Sequence, residues 1–191
     1  MDHRSLSGSA IVELTRIIRA KSYRTGDFTL SSGKKSSYYI DLKATTLHPE
    51  GAYWIGKAAL TKVREAGIEV DAVGGLTLGA DPIATAISLA AREAGLFWPA
   101  LIVRKEPKKH GTSQYIEGLE NIPPGGNVLV LEDVVTTGGS SLIAIQRLRE
   151  AGYKPVAVLT IVDREEGGQS VMADQGLPLL SLITISQLRS C

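Results

Sequence analysis

Apolar positions in the first stretch of the chain recur at helical spacing. In SAIVELTRIIRAKS, Ile11, Leu14, Ile17 and Ile18 share one face, behind Ser9 as a candidate N-cap. The pattern then changes. GDFTLSSGKKSSYYIDLK reads as two short strands around a Ser-Ser-Gly turn, a hairpin at the side of the main fold. HPEGAYWIGKAALTKVREAG returns to helix, with Pro49 tolerated in the first turn and Gly67 suited to ending it. From Val70 onward strand and helix alternate: VDAVGG, then ADPIATAISLAAREAG; PALIVR, then the polar stretch KEPKKHGTSQYIEGLENIPPGG; NVLVLE, then SSLIAIQRLREAG; and KPVAVLTIVDRE, the longest strand. A last short helix and the strand LPLLSLITI are expected to close the chain.

These strands are continuous apolar runs rather than alternating ones. Such runs belong in a parallel sheet covered on both faces by helices. Right-handed crossovers between them build a doubly wound α/β fold, which places ligands at the carboxyl edge of the sheet. The first strand ends in GGLTLG, the second in Arg104-Lys105, the third in Glu132-Asp133 and the fourth in Asp163-Arg164. Every expected parallel strand therefore delivers glycines or charges to one edge.

The third of these ends, VLVLEDVVTTGGS, carries the most specific chemistry. Gly138 and Gly139 permit a tight turn that brings backbone N–H groups close to a ligand. Thr136, Thr137, Ser140 and Ser141 add hydroxyls, and a helix starts here with its first amides unpaired, a cradle for phosphate that requires no lysine. Glu132 and Asp133 would repel phosphate but would accept hydrogen bonds from vicinal hydroxyls, so together the two halves describe a phosphorylated ribose. The plain alternative is a generic strand-turn-helix whose acids are solvated. Other phosphate motifs fit poorly: no G-x-G-x-x-G follows a strand, and SGKKSS lacks the spacing of a P-loop. No pair of Cys or His residues stands at metal-ligand spacing.

Composition adds bounds. A chain of 191 residues with 43% hydrophobic and 21% charged residues fits one ordinary globular domain spanning 1–191. A net charge of +1 provides no global field for nucleic acid or an anionic membrane. The single cysteine, Cys191, cannot form an internal disulfide, and MDHRSLSGSA lacks an apolar signal core. A cytoplasmic location is the expectation. Charge is concentrated locally instead: VRKEPKKHG packs Arg104, Lys105, Lys108, Lys109 and His110 at the ligand edge, opening a loop with Gly111 and Gly118 as hinges. A solvated face is one reading of this run. The other is a mobile lid over 104–118 that neutralises a departing anion such as pyrophosphate.

These residues resemble the type I phosphoribosyltransferases, and more narrowly the orotate phosphoribosyltransferases. VLVLEDVVTTGGS is similar to that superfamily's motif for 5-phosphoribosyl 1-diphosphate, RKEPKKHG to the orotate enzymes' catalytic loop, and FTLSSGKKSSYYIDLK to their N-terminal hood. GGLTLGADPIATAI and VDREEGG fall in the expected order, so the resemblance spans nearly the whole chain. It implies phosphoribosyl transfer to orotate in pyrimidine synthesis, with Mg²⁺ held by substrate and water more than by protein, in a homodimer that shares its active sites. Carried over, Glu132 and Asp133 bind the ribose hydroxyls, and Val134, Val135 and Thr136 to Ser140 surround the 5′-phosphate, with Thr136 also near the base. Arg104, Lys105, Lys108 and His110 meet the diphosphate, some from the neighbouring subunit. Arg164 pairs with orotate under a hood, formed within residues 1–45, around Ser32, Gly33 and Tyr39. On local sequence alone, the alternative for Arg164 is a surface ion pair with Asp163, Glu165 or Glu166, and Tyr38 and Tyr39 suit ordinary strand positions as well as a lid over the base.

The chain departs from the family at Ser31 and Leu78, where many members carry lysines. Lys34, Lys35 and Lys43 are candidates to compensate. Three rivals stand beside this reading: a transferase for another base, a regulator that binds the ribosyl diphosphate without turnover, and an unrelated α/β protein.

Overall fold

A computed structural model describes residues 3–29, 33, 35–107 and 115–190. The chain opens with α1 (His3–Lys21), the hairpin strands β1 (Tyr23–Thr29) and β2 (Lys35–Ile40), a short α2 (Lys43–Thr46) and α3 (Pro49–Glu65). The alternating part follows: β3 (Ala72–Leu76), α4 (Ala80–Glu93), β4 (Ala100–Val103), β5 (Ile116–Glu117), β6 (Asn127–Val135), α5 (Gly139–Glu150), β7 (Lys154–Asp163), α6 (Gly168–Asp174), β8 (Leu179–Thr184) and α7 (Ile185–Ser190).

The described central sheet runs in the order β5-β4-β3-β6-β7-β8, parallel throughout except that β5 pairs antiparallel with β4. Alternate residues of each strand point to opposite faces, and both faces are covered. Val73, Leu129, Leu131 and Leu159 pack under α1, α3 and α4 with Leu14, Ile55 and Ile83. Their neighbours Ala72, Val128, Val130 and Val158 pack under α5 and α6 with Ile145, Leu148 and Met172. That two-sided burial is why the strands read as unbroken apolar runs. The fold is the doubly wound α/β arrangement expected. Gly56 lets α3 and α4 touch, since a Cβ there would lie 2.6 Å from the Ala86 carbonyl oxygen.

The hairpin is a separate two-stranded antiparallel sheet, pairing Tyr23 with Ile40 and Phe28 with Ser36. Gly33, at φ +80°, suits the expected turn. Four expectations change. The first helix already runs at His3, so Ser9 lies within it and is not its cap. The polar stretch after Arg104 contains β5, a two-residue strand too short to leave a periodic signal. Strand β6 continues through the acid pair to Val135 because β7 keeps pairing with it as far as Asp163. The chain closes on helix α7, whose Ile185 and Leu188 are buried, rather than on a strand.

Candidate active site

Successive strand residues face opposite sides, so Glu132 and Asp133, adjacent in β6, diverge instead of facing each other. Glu132 turns toward the start of α5, where the Ser141 hydroxyl, on a fully buried residue, donates to its Oε2. Burial pushes the Glu132 carboxyl above the usual carboxylate range; the Asp133 charge adds to this, and hydrogen bonds from Ser141 and Ser140 oppose it. Asp133 turns toward the β3–α4 connection. Its Oδ1 accepts the Val134 N–H at 2.9 Å, and a Cβ on Gly79 would lie only 2.8 to 3.1 Å from its three carboxyl atoms.

Beyond Val135 the chain bends through Thr136 and Thr137 into Gly138, the residue before α5, at φ +82°. A side chain there would be strained by the dihedral, and its Cβ would meet Met172 Cε at 2.7 Å. Helix α5 begins at Gly139, so its first amides open onto the bend beside half-buried Thr136 and Ser140 and exposed Thr137. The acid pair and the Thr-Gly turn thus share the carboxyl edge, as the sequence predicts.

On the other side of Asp133, the ends of β3 and β4 border a cavity of about 450 Å³ lined by Thr77, Asp81, Ile102, Arg104, Lys105 and Glu117. Arg104 receives a fixed backbone, its N–H donating to the Tyr115 carbonyl at 2.7 Å, and its guanidinium lies 3.2 Å from Glu117 Oε1. Lys105 is exposed. Lys108, Lys109, His110 and Gly111 lie outside the described residues, as do Ser31, Ser32 and Lys34 of the hood.

Arg164, following β7, has a side chain only 12% exposed. Its Nε donates to the Tyr38 hydroxyl at 3.0 Å and its Nη2 pairs with Glu166 Oε1 at 2.9 Å. Of the neighbouring acids, Asp163 instead accepts the Glu165 N–H and Glu165 binds Ser186. The hairpin therefore reaches Arg164 through Tyr38, which also stacks on Tyr23 at 5.8 Å. Tyr39, the hood residue the sequence singles out, points to the other face of β2, packs against Phe28 at 5.7 Å and is 43% exposed. Among the candidate replacement lysines, Lys43 is held above its ordinary pKa chiefly by hydrogen bonding to Asp41 (2.8 Å), with smaller contributions from the charge of Asp41, from Asp133 and from Tyr39. The sequence names Ser141 among the hydroxyls of the turn, places GGLTLG (residues 74–79) at this edge and sets Tyr38 beside Tyr39 as strand residue or lid. It assigns no part to Asp81 or to the particular contacts of Thr77 and Gly79, which carry no signal without the strand order.

The acid pair at the end of β6 and the amide-lined turn before α5 meet at the carboxyl edge of a parallel, doubly wound sheet. The phosphoribosyl transferase domain pattern matches residues 41–175, and the chain belongs to that family. It is 52% identical to the orotate phosphoribosyltransferase of Thermosynechococcus vestitus over 93% of this chain and 92% of that one. Among solved structures it resembles Mycobacterium tuberculosis orotate phosphoribosyltransferase in complex with Fe(III) dicitrate (TM-score 0.81, 40% identity, covering 94% of this chain and 98% of that one). The same protein in complex with 5-phospho-alpha-D-ribosyl 1-diphosphate gives a TM-score of 0.77 at 37% identity, covering 94% and 99%.

Proposed function

We infer that the chain is an orotate phosphoribosyltransferase: it transfers the phosphoribosyl group of 5-phosphoribosyl 1-diphosphate to orotate, yielding orotidine 5′-monophosphate and pyrophosphate in pyrimidine synthesis. The observation that carries this is the acid pair and Thr-Gly turn at one sheet edge, in a chain half identical over nearly its full length to an enzyme of that name. In the reaction a ring nitrogen of orotate gives up its proton and forms a bond to ribose C1, while the bond from C1 to the diphosphate oxygen breaks. Its electron pair leaves with pyrophosphate, and the proton passes to pyrophosphate or solvent.

The bend from Thr136 to Ser140 holds the 5′-phosphate through backbone amides and hydroxyls, with Val134 and Val135 fixing its entry. Asp133 and Glu132 accept the ribose hydroxyls. For Glu132 this means exchanging its Ser141 partner, or sharing it. Arg164, already desolvated and planar, pairs with the orotate carboxylate in place of Glu166. Tyr38 holds that guanidinium from above, and Tyr39 closes the hood's outer side. Arg104, Lys105, Lys108 and His110 stabilise the leaving anion, which is the main contribution a protein makes to this bond cleavage beyond positioning.

The donors present fit a Mg²⁺ ion carried by the substrate. Among the described residues no group of three or more His, Cys, Asp or Glu side chains stands ready to hold a metal, and the Asp133 carboxylate beside the β3–α4 turn would offer the ion one hard oxygen donor. When bound, the ion would neutralise diphosphate oxygens. The working form is a cytoplasmic homodimer whose loop residues serve the neighbouring site, and no described helix is long and apolar enough to cross a membrane.

Purified protein with Mg²⁺, phosphoribosyl diphosphate and orotate should consume orotate and release pyrophosphate, and the reverse reaction should run from the nucleotide. Turnover of adenine, hypoxanthine or guanine instead would reassign the base. Binding without turnover would make the chain a regulator.

A further inference from the structure

The connection from β3 to α4 presents a puzzle. It lies against Asp133 and borders the cavity of Arg104 and Lys105, where an anion is expected, yet it contributes an acid, Asp81, and a side chain without charge, Leu78. Leu78 is 75% exposed. An acid beside a diphosphate site is unfavourable unless it serves the fold of the site in some other way.

We propose that the Thr77–Asp81 hydrogen bond is a clasp that holds the 77–81 turn in place at the rim of the Arg104 cavity, where the diphosphate is expected. Thr77 Oγ1 donates to Asp81 Oδ2 at 2.7 Å. The Thr77 N–H is itself fixed on the Val103 carbonyl at 2.8 Å, and the Asp81 N–H returns to the Leu78 carbonyl at 3.3 Å. Three bonds therefore close the turn and tie it to the end of β4. The turn then lies flat on Asp133, where Gly79 leaves no room for a Cβ. Asp81 Oδ1 is buried with no hydrogen-bond partner among the described residues, a cost accepted for the geometry that Oδ2 secures. Backbone dipoles hold an anion well only when they are fixed before it arrives. Thr77 and Asp81 are on this account positioning residues, acting through the turn.

This rests on the function proposed above, but one arm of the test is independent of it. Thr77→Val and Asp81→Ala are each expected to raise the KM for phosphoribosyl diphosphate, and to weaken binding of inorganic pyrophosphate with Mg²⁺, by roughly tenfold, the equivalent of one hydrogen bond. The KM for orotate should stay within about twofold, since a change of that size is only a fraction of one hydrogen bond. Thr77→Ser keeps the hydroxyl and should restore wild-type values. The double variant should be no worse than the poorer single one, because two partners of one bond are not additive. A helix-start role for Asp81 alone would leave Thr77→Val unaffected. The clasp is overturned by unaltered pyrophosphate binding in Thr77→Val, by equal rises in both KM values, or by Thr77→Ser failing like Thr77→Val. Were Asp81→Ala not to fold, the near-isosteric Thr77→Val and Thr77→Ser pair would still decide. Loss of pyrophosphate binding in a protein that turns over no orotate would support the clasp while removing the assigned reaction.

Discussion

Two adjacent carboxylates coexist in β6 because the strand sends them to opposite faces, into different surroundings. Glu132 is largely desolvated beside α5, so the folded protein retains its proton to a higher pH than the unfolded chain does. Its ionisation therefore costs stability: the folded state is favoured below the unfolded carboxyl pKa, near ~4.3, and that advantage is lost as pH rises through the raised folded value. Glu132→Gln, which still accepts from Ser141, should melt higher than the parent at pH 8, with the gap closing toward acid; a gap independent of pH would refute the burial argument. The same variant should weaken phosphoribosyl diphosphate binding in steady-state kinetics. Arg164→Lys retains charge but loses the planar fork, and the expected rise in orotate KM is roughly tenfold or more, from charge-assisted bonds worth ~1.5–3 kcal/mol. An unchanged orotate KM would leave Arg164 as no more than the surface partner of Glu166. Tyr38 and Tyr39 show where residue-level reading stops. Both lie in one hydrophobic run, and only the pairing of β2 with β1 decides which one meets Arg164.

At the scale of elements, the turn between β6 and α5 depends on Gly138. Gly138→Ala must place a side chain at φ +82° against Met172, with an expected cost of roughly 1–3 kcal/mol in urea unfolding and a loss of phosphate affinity. Stability equal to wild type would mean that the bend has another conformation available. The basic loop is tested by Lys108→Ala, expected to lower kcat roughly tenfold or more with little change in melting temperature, since the charge it removes is assigned to the departing anion. An unchanged kcat removes Lys108 from the mechanism. Most elements were legible from their burial: α3 and α4 bury a stripe at helical period, while β3 and β7, covered on both faces, show unbroken apolar runs. Elements whose signal is too brief were not, namely β5, α2 and α7, where two to six residues hold their shape through tertiary contact rather than pattern.

At the scale of the whole molecule, the proposed sharing of active sites between two subunits makes a distinctive prediction. Lys108→Ala and Asp133→Asn are each expected to lose most of their activity, roughly tenfold or more. If the loop acts across a two-fold interface, mixing them through dissociation and reassociation should restore roughly a quarter of the intact sites, because half the dimers are mixed and one site in each is whole. No recovery, with mixed dimers demonstrated, would place the loop on its own subunit's site. The alternation of strands and helices, the sheet edge that carries the chemistry and the Thr-Gly turn were determined by the sequence itself, because burial period and positive-φ glycines are local demands that each segment states for itself. The order β5-β4-β3-β6-β7-β8, the contact of Gly79 with Asp133, the Thr77–Asp81 bond beside the Arg104 cavity and the choice of Tyr38 over Tyr39 were decided only by the tertiary structure. Those are meetings between segments far apart in the chain, and their register depends on how all the faces are buried together rather than on any single stretch.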